Sequence, residues 1–190
     1  MTRRKALMAF LASAVIRPAC AQQARQGPYD SGGGPMLTVN GHNLPRDTVF
    51  RFMPVTLPLT SIRVTSLYGL RTDPVYGYSG LHPGVDLAAP QGTPAFATAA
   101  GVVVRAWLAG DYGNLVEIRH GLGFSTRYGH LSGFAVKAGQ VVDRGSLVAV
   151  TGATGHVTGP HLHYEIRYRD EPIDPIKFVL KMYELYHHLD

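Results

Sequence analysis

The chain has 190 residues, 45% of them hydrophobic and 16% charged, which supplies enough apolar material for a core in one ordinary domain. Its 22 glycines and 13 prolines favour many turns and short strands over long helices. The formal charge of +5 sits at the start: Arg3, Arg4, Lys5 and Arg17 occur without any acid in residues 1–21, and the rest holds 14 of the 18 basic residues against 13 acids, leaving no basic stripe for a nucleic acid.

In chain order, residues 1–21 read as a signal peptide. Residues 2–5 form a positive region, residues 6–16 an apolar run too short to span a bilayer, and Ala19-Cys20-Ala21 a small-x-small cleavage site before Gln22. An exported protein is expected, periplasmic or secreted, with no stable membrane span after cleavage. Removal of Cys20 would leave no thiol. Residues 22–45, rich in Gly, Gln, Asn and Pro, are expected to be a flexible linker. Residues 46–60, with Pro54 and Pro58 among apolar residues, read as an extended lead-in.

From residue 61 the pattern becomes strand-like, with Ile62 and Val64 alternating with polar residues. Residues 68–80 read as loop. Apolar runs bounded by Gly or Pro then recur at 94–99, 102–108, 115–119, 124–128, 146–150 and 163–168, which predicts an all-β domain over 61–177. A C-terminal helix and tail follow by residue 178. Pro175 suits a first helical position, and Ile176, Val179, Leu180 and Tyr183 fall at helical spacing. A valine–glycine rhythm through residues 136–148 also occurs in biotinyl and lipoyl carrier domains. Lys137, followed by Ala138-Gly139, does not sit at a hairpin tip as a carrier lysine must.

Four of the nine histidines stand in informative places. In His82-Pro83-Gly84-Val85-Asp86, Pro83 and Gly84 force a turn that can bring an imidazole and a carboxylate to one point, and zinc accepts both. In His161-Leu162-His163, residues two apart on a strand share a face, with Leu162 pointing to the core. His130 lies at a predicted strand end. Catalytic zinc wants three protein ligands and an open position. His82, Asp86 and either strand histidine supply three, leaving the other strand histidine and His130 for acid–base work.

The chain resembles the lysostaphin-type (LytM-domain) zinc endopeptidases of peptidoglycan, from about residue 62 to about residue 175. The resemblance rests on Gly69-Leu70-Arg71-Thr72-Asp73-Pro74, on Leu81-His82-Pro83-Gly84-Val85-Asp86-Leu87, on Tyr112-Gly113-Asn114, on Tyr128-Gly129-His130-Leu131-Ser132 and on Thr158-Gly159-Pro160-His161-Leu162-His163-Tyr164-Glu165, in that order. It implies a mainly antiparallel β-sheet with an open groove and a short C-terminal helix. It further implies a Zn2+ ion on His82, Asp86 and His163, with His130 and His161 catalytic. The implied reaction is hydrolysis of peptide cross-links in peptidoglycan by a zinc-activated water. Asp111 departs from the glycine common in the family, and Gly129 from its usual alanine.

Overall fold

The computed structural model describes residues 36–39, 42–72, 77 and 79–188. The expected signal peptide, and the linker up to residue 35, lie outside the described residues. Among the described residues no helix is long and apolar enough to cross a membrane.

Strands β1 (Met36–Val39) and β2 (His42–Pro45) pair antiparallel, followed by helix α1 (Arg46–Arg51). Both differ from the sequence reading, which expected flexible linker through residue 45 and an extended lead-in from 46. The helix forms because Val49 inserts into the interior while Arg46 stacks over the Tyr186 ring, its carbon 4.0 Å from the ring centroid. Residues beyond α1 are irregular, as their prolines require, and carry Leu59 into the core.

The rest is built on one ten-stranded antiparallel sheet. Its strands are β3 (Val64–Ser66), β6 (Val85–Ala88), β7 (Pro94–Phe96), β8 (Gly101–Leu108), β9 (Asn114–His120), β10 (Phe124–Phe134), β11 (Val141–Val142), β12 (Leu147–Thr151), β13 (His161–Tyr168) and β14 (Glu171–Ile173). The main path runs β11-β8-β9-β10-β13-β6-β3, with β12 bridging β10 and β7 and β14 beside β13. Each expected run contains or joins a strand, although β7 takes up only the first half of the run at 94–99 and β10 runs on past residue 128. The segment read as loop instead contains a separate hairpin, β4 (Gly69–Thr72) with β5 (Ser79–His82), pairing Leu70 opposite Leu81. Its apolar side chains face outward, Leu70 being 86% exposed, so no core-facing alternation marks it in the sequence.

Alternation along the two central strands fixes which residues reach the core. Leu162, Tyr164 and Ile166 of β13 and Val85 and Leu87 of β6 join the buried cluster, while Asp86, His161 and His163 between them turn to the other face. Helix α2 (Pro175–His188) packs Ile176, Phe178 and Val179 on the apolar face, opposite the histidines. Asp174 starts this helix by accepting hydrogen bonds from the backbone N–H groups of Ile176 and Lys177, at 3.0 and 3.1 Å.

One histidine is part of this framework. His120 is buried, with Nδ1 donating to the Ala100 carbonyl at 2.9 Å and Nε2 2.8 Å from the Thr126 hydroxyl. Burial pushes its pKa down to about 4. In the unfolded chain it would titrate near 6.5. The unfolded state therefore binds the extra proton first as pH falls, and the His120 contribution is present above about 6.5 and lost as pH drops toward 4. That loss is on the order of 3 kcal/mol. Urea unfolding at pH 7 and pH 4.5 is expected to show a smaller drop for His120→Gln than for the unmodified protein. An equal drop in both would remove His120 as its source.

Candidate metal centre and cleft

A cleft of about 460 Å³ opens on the polar face of β6, β10 and β13. On its floor, His82 Nε2 lies 3.1 Å from Asp86 Oδ1 and 3.1 Å from His163 Nδ1, and His163 Nδ1 lies 2.9 Å from Asp86 Oδ1. All three side chains are buried.

Local structure explains the convergence. His82 ends β5, Pro83-Gly84 turn the chain, and Asp86 stands on β6 directly opposite His163 in the β6–β13 register. The turn lies so close to β13 that a methyl group on Gly84 would meet the Tyr164 carbonyl oxygen at 2.4 Å. Only glycine permits this approach.

The outer hydrogen bonds decide which nitrogens face inward. His82 Nδ1 is 2.8 Å from the Leu67 carbonyl, which can only accept, so Nδ1 carries the proton and Nε2 is bare. His163 Nε2 is 3.2 Å from Glu165 Oε1. Burial works against ionisation of Glu165, but His163, Tyr112 and Arg167 hold its pKa down at about 2, so it accepts and leaves His163 Nδ1 bare. Two lone pairs and a carboxylate oxygen therefore meet with no proton between them. Such a triangle is repulsive until a cation or an extra proton enters.

The pKa shifts express the same demand. Burial opposes charge on Asp86, yet the surrounding His161, His163 and His82 hold its carboxyl well below the usual range. Burial opposes protonation of His163, yet Asp86 and Glu165 pull its pKa up. A divalent cation satisfies this demand better than a proton. A tetrahedral zinc ion, with bonds of 2.0–2.2 Å to N and O, spaces its ligand atoms about 3.3 Å apart. The observed triangle is within a few tenths of an ångström of that, so the residues fit the ion. A carboxylate that holds the outer nitrogen of a ligand histidine, as Glu165 holds His163, is typical of zinc sites.

Two further imidazoles flank the triangle. His130 occupies a bulge in β10, where the pairing with β9 shifts between Tyr128 and Leu131, and its φ of 60° is left-handed. The bulge re-aims its side chain into the cleft. His130 Nδ1 donates to the Thr154 carbonyl at 2.9 Å, and His161 Nδ1 to the Gly159 carbonyl at 2.9 Å. Both Nε2 atoms are thereby bare and inward, with ring centroids 4.7 Å apart. Burial, helped by the nearby His163 and His161, brings the His130 pKa down to about 4, so it is neutral at neutral pH. His161 Nε2 lies 3.5 Å from Asp86 Oδ1, beside the triangle.

All five side chains singled out in the sequence thus meet at one place. The sequence did not reveal the carbonyl acceptors at Leu67, Thr154 and Gly159, because main-chain oxygens leave no signature in residue type. Two family positions gain partners. Arg71 donates to the outer oxygen of Asp86 at 3.3 Å. Tyr112 donates to Glu165 at 2.5 Å, and its ring centroid stands 5.5 Å from that of His163. His156 lines the cleft, while His120 belongs to the framework.

This fold and this site define the class of lysostaphin-type metallopeptidase domains. The chain belongs to Peptidase family M23, whose sequence pattern matches residues 80–175. It is 41% identical over 144 residues to peptidoglycan DD-endopeptidase ShyA of Vibrio cholerae, an alignment covering 75% of this chain and 32% of the relative. A zinc-containing peptidase from Vibrio cholerae superposes with a TM-score of 0.59 at 39% identity, over 63% of this chain and 38% of that one. The catalytic domain of lysostaphin from Staphylococcus simulans superposes with a TM-score of 0.58 at 30% identity, over 63% and 92%. The chain spans about a third of the length of the curated relatives it matches.

Because Gly84 sets the distance between the His82–Asp86 turn and β13, Gly84→Ala is expected to weaken zinc binding at least tenfold. Gly133→Ala, whose methyl would meet only Val150 at 3.5 Å, is the control and should bind normally. Competition with a chromophoric chelator reads both. Equal affinity in the two variants would mean that the turn does not set the site.

Proposed function

We propose that the chain is a zinc-dependent endopeptidase that hydrolyses peptide cross-links of bacterial peptidoglycan, with His82, Asp86 and His163 holding the ion and His130 and His161 catalytic. The observation that carries this reading is the convergence of five side chains whose inward atoms are all acceptors. Three suit a cation and two suit a proton. The zinc peptidase and peptidoglycan DD-endopeptidase relatives support the same assignment.

Zinc in such a site polarises a carbonyl and lowers the pKa of a coordinated water to about 7. The remaining work falls to the protein. A neutral imidazole with a bare Nε2 takes the proton of the attacking water, and the second imidazole, once protonated, donates to the developing oxyanion or to the leaving nitrogen. The close approach of His130 and His161 places both tasks within reach of one scissile bond. Arg71 keeps Asp86 oriented with one oxygen toward the triangle. Glu165, itself held by Tyr112 and Arg167, does the same for His163.

The expected bond is a cross-link between D-alanine and a diamino acid, in keeping with the DD-endopeptidase relatives and with the export signal read in residues 1–21. Action outside the cytoplasm is expected on the same two grounds. N-terminal sequencing of the exported protein is expected to begin at Gln22, and a start at Met1 would refute cleavage.

Zinc content and muropeptide release from purified wall, measured together, test the assignment. The unmodified protein should carry one zinc and release muropeptides, and His163→Ala should lose both. His161→Ala should keep the zinc and lose release by a factor of about 10² or more. Loss of zinc in His161→Ala would move that residue to the ligand set. Neither zinc nor release in the unmodified protein would point to a regulatory binding module.

A further inference from the structure

The cleft has two walls of different charge. The sheet order places the β4–β5 hairpin, carrying Arg71 and Leu81, on the β3–β6 side of the floor. The turn Gly110–Tyr112 leaves β8 for β9, so it and the loop carrying His156 stand on the opposite side. The backbone N–H of His156 donates to the Asp111 carbonyl at 2.8 Å, joining these two loops into one wall.

Among the described residues two acids line the cleft, Asp86 and Asp111. Asp86 is engaged by the histidine triangle and by Arg71. Asp111 is exposed, its main chain is held by His156, and no described residue pairs with its carboxylate. Its backbone is anchored at the rim of the cleft, and among the described residues its carboxylate has no charge partner. A zinc ion and Arg71 make the floor and the hairpin side positive. Among the described residues, a peptide lying across the cleft therefore meets Arg71 on one wall and the Asp111 carboxylate on the other.

We propose that Asp111 is a specificity-determining residue, which selects peptides carrying a free ammonium group close to the scissile bond, as an unacylated diamino acid does, with any neighbouring carboxylate turned toward Arg71. This rests on the peptidase reading above. It deepens that reading by naming the charge pattern of the substrate.

The test uses two synthetic cross-linked stem peptides, identical except that the side-chain amine left free on the donor stem's diamino acid, next to the D-alanine whose bond is cut, is acetylated in one. The zinc-loaded protein is expected to favour the free amine in kcat/KM on the order of fivefold, the ceiling for an exposed ion pair, expressed in KM. The preference should fade toward one as salt is raised to about 1 M, where the screening length is about 3 Å. Asp111→Asn should bring the ratio to about one without changing zinc content, and Asp111→Lys should invert it. A ratio near one in the unmodified protein, or a ratio unmoved by Asp111→Asn, would overturn the proposal while leaving the peptidase reading intact. Failure to cut either peptide would overturn that reading instead. Calorimetric binding of the two peptides then scores the same ratio with no bond broken.

Discussion

Everything at the centre of this protein depends on where four ring protons are kept. His82, His130, His161 and His163 each give one N–H to an acceptor outside the site: Leu67, Thr154 and Gly159 carbonyls and the Glu165 carboxylate. Each ring is thereby locked in one tautomer with a bare nitrogen turned inward. Without these outer bonds an imidazole could turn its N–H toward its neighbour, and the cluster would satisfy itself. With them, electron pairs converge and only a positive charge relieves them. The affinity for a cation is thus written into backbone geometry at some distance from the ligand atoms.

That geometry needs a stiff support, and the sheet supplies it. β6 and β13 are interior strands, so their apolar residues are clamped in the core while their polar residues face the cleft in fixed register. Two irregularities then adjust what regular pleating cannot. The Pro83-Gly84 turn folds His82 back beside Asp86. The bulge in β10 tilts His130 toward His161 at the cost of a left-handed backbone. Fully buried Glu165 belongs to both parts, since it meets Arg167 and Tyr112 as well as His163. Framework and site share that carboxylate.

Much of this was legible in the sequence. The His161-Leu162-His163 alternation is a direct image of a strand with one face buried, and Pro83-Gly84 announces the turn before Asp86. The short apolar runs between glycines announced the sheet. Other elements left no trace. The β4–β5 hairpin directs its leucines to solvent, so it lacks the alternation that marks a half-buried strand. Helix α1 is too short to show a period and owes its place to contacts with the far end of the chain. The extension of β10 past His130 was hidden because a bulge breaks the two-residue repeat on which strand reading relies.

Arg46 stacks on Tyr186 and donates to its carbonyl at 2.7 Å, and Phe50 meets the same ring edge-on. Helices α1 and α2 are thus fastened together on the side away from the cleft, where Val85, Leu87 and Tyr164 line an apolar cavity shared with Phe50 and Tyr186. Two elements far apart in sequence thereby clasp the domain from behind, on the face that the histidines do not use.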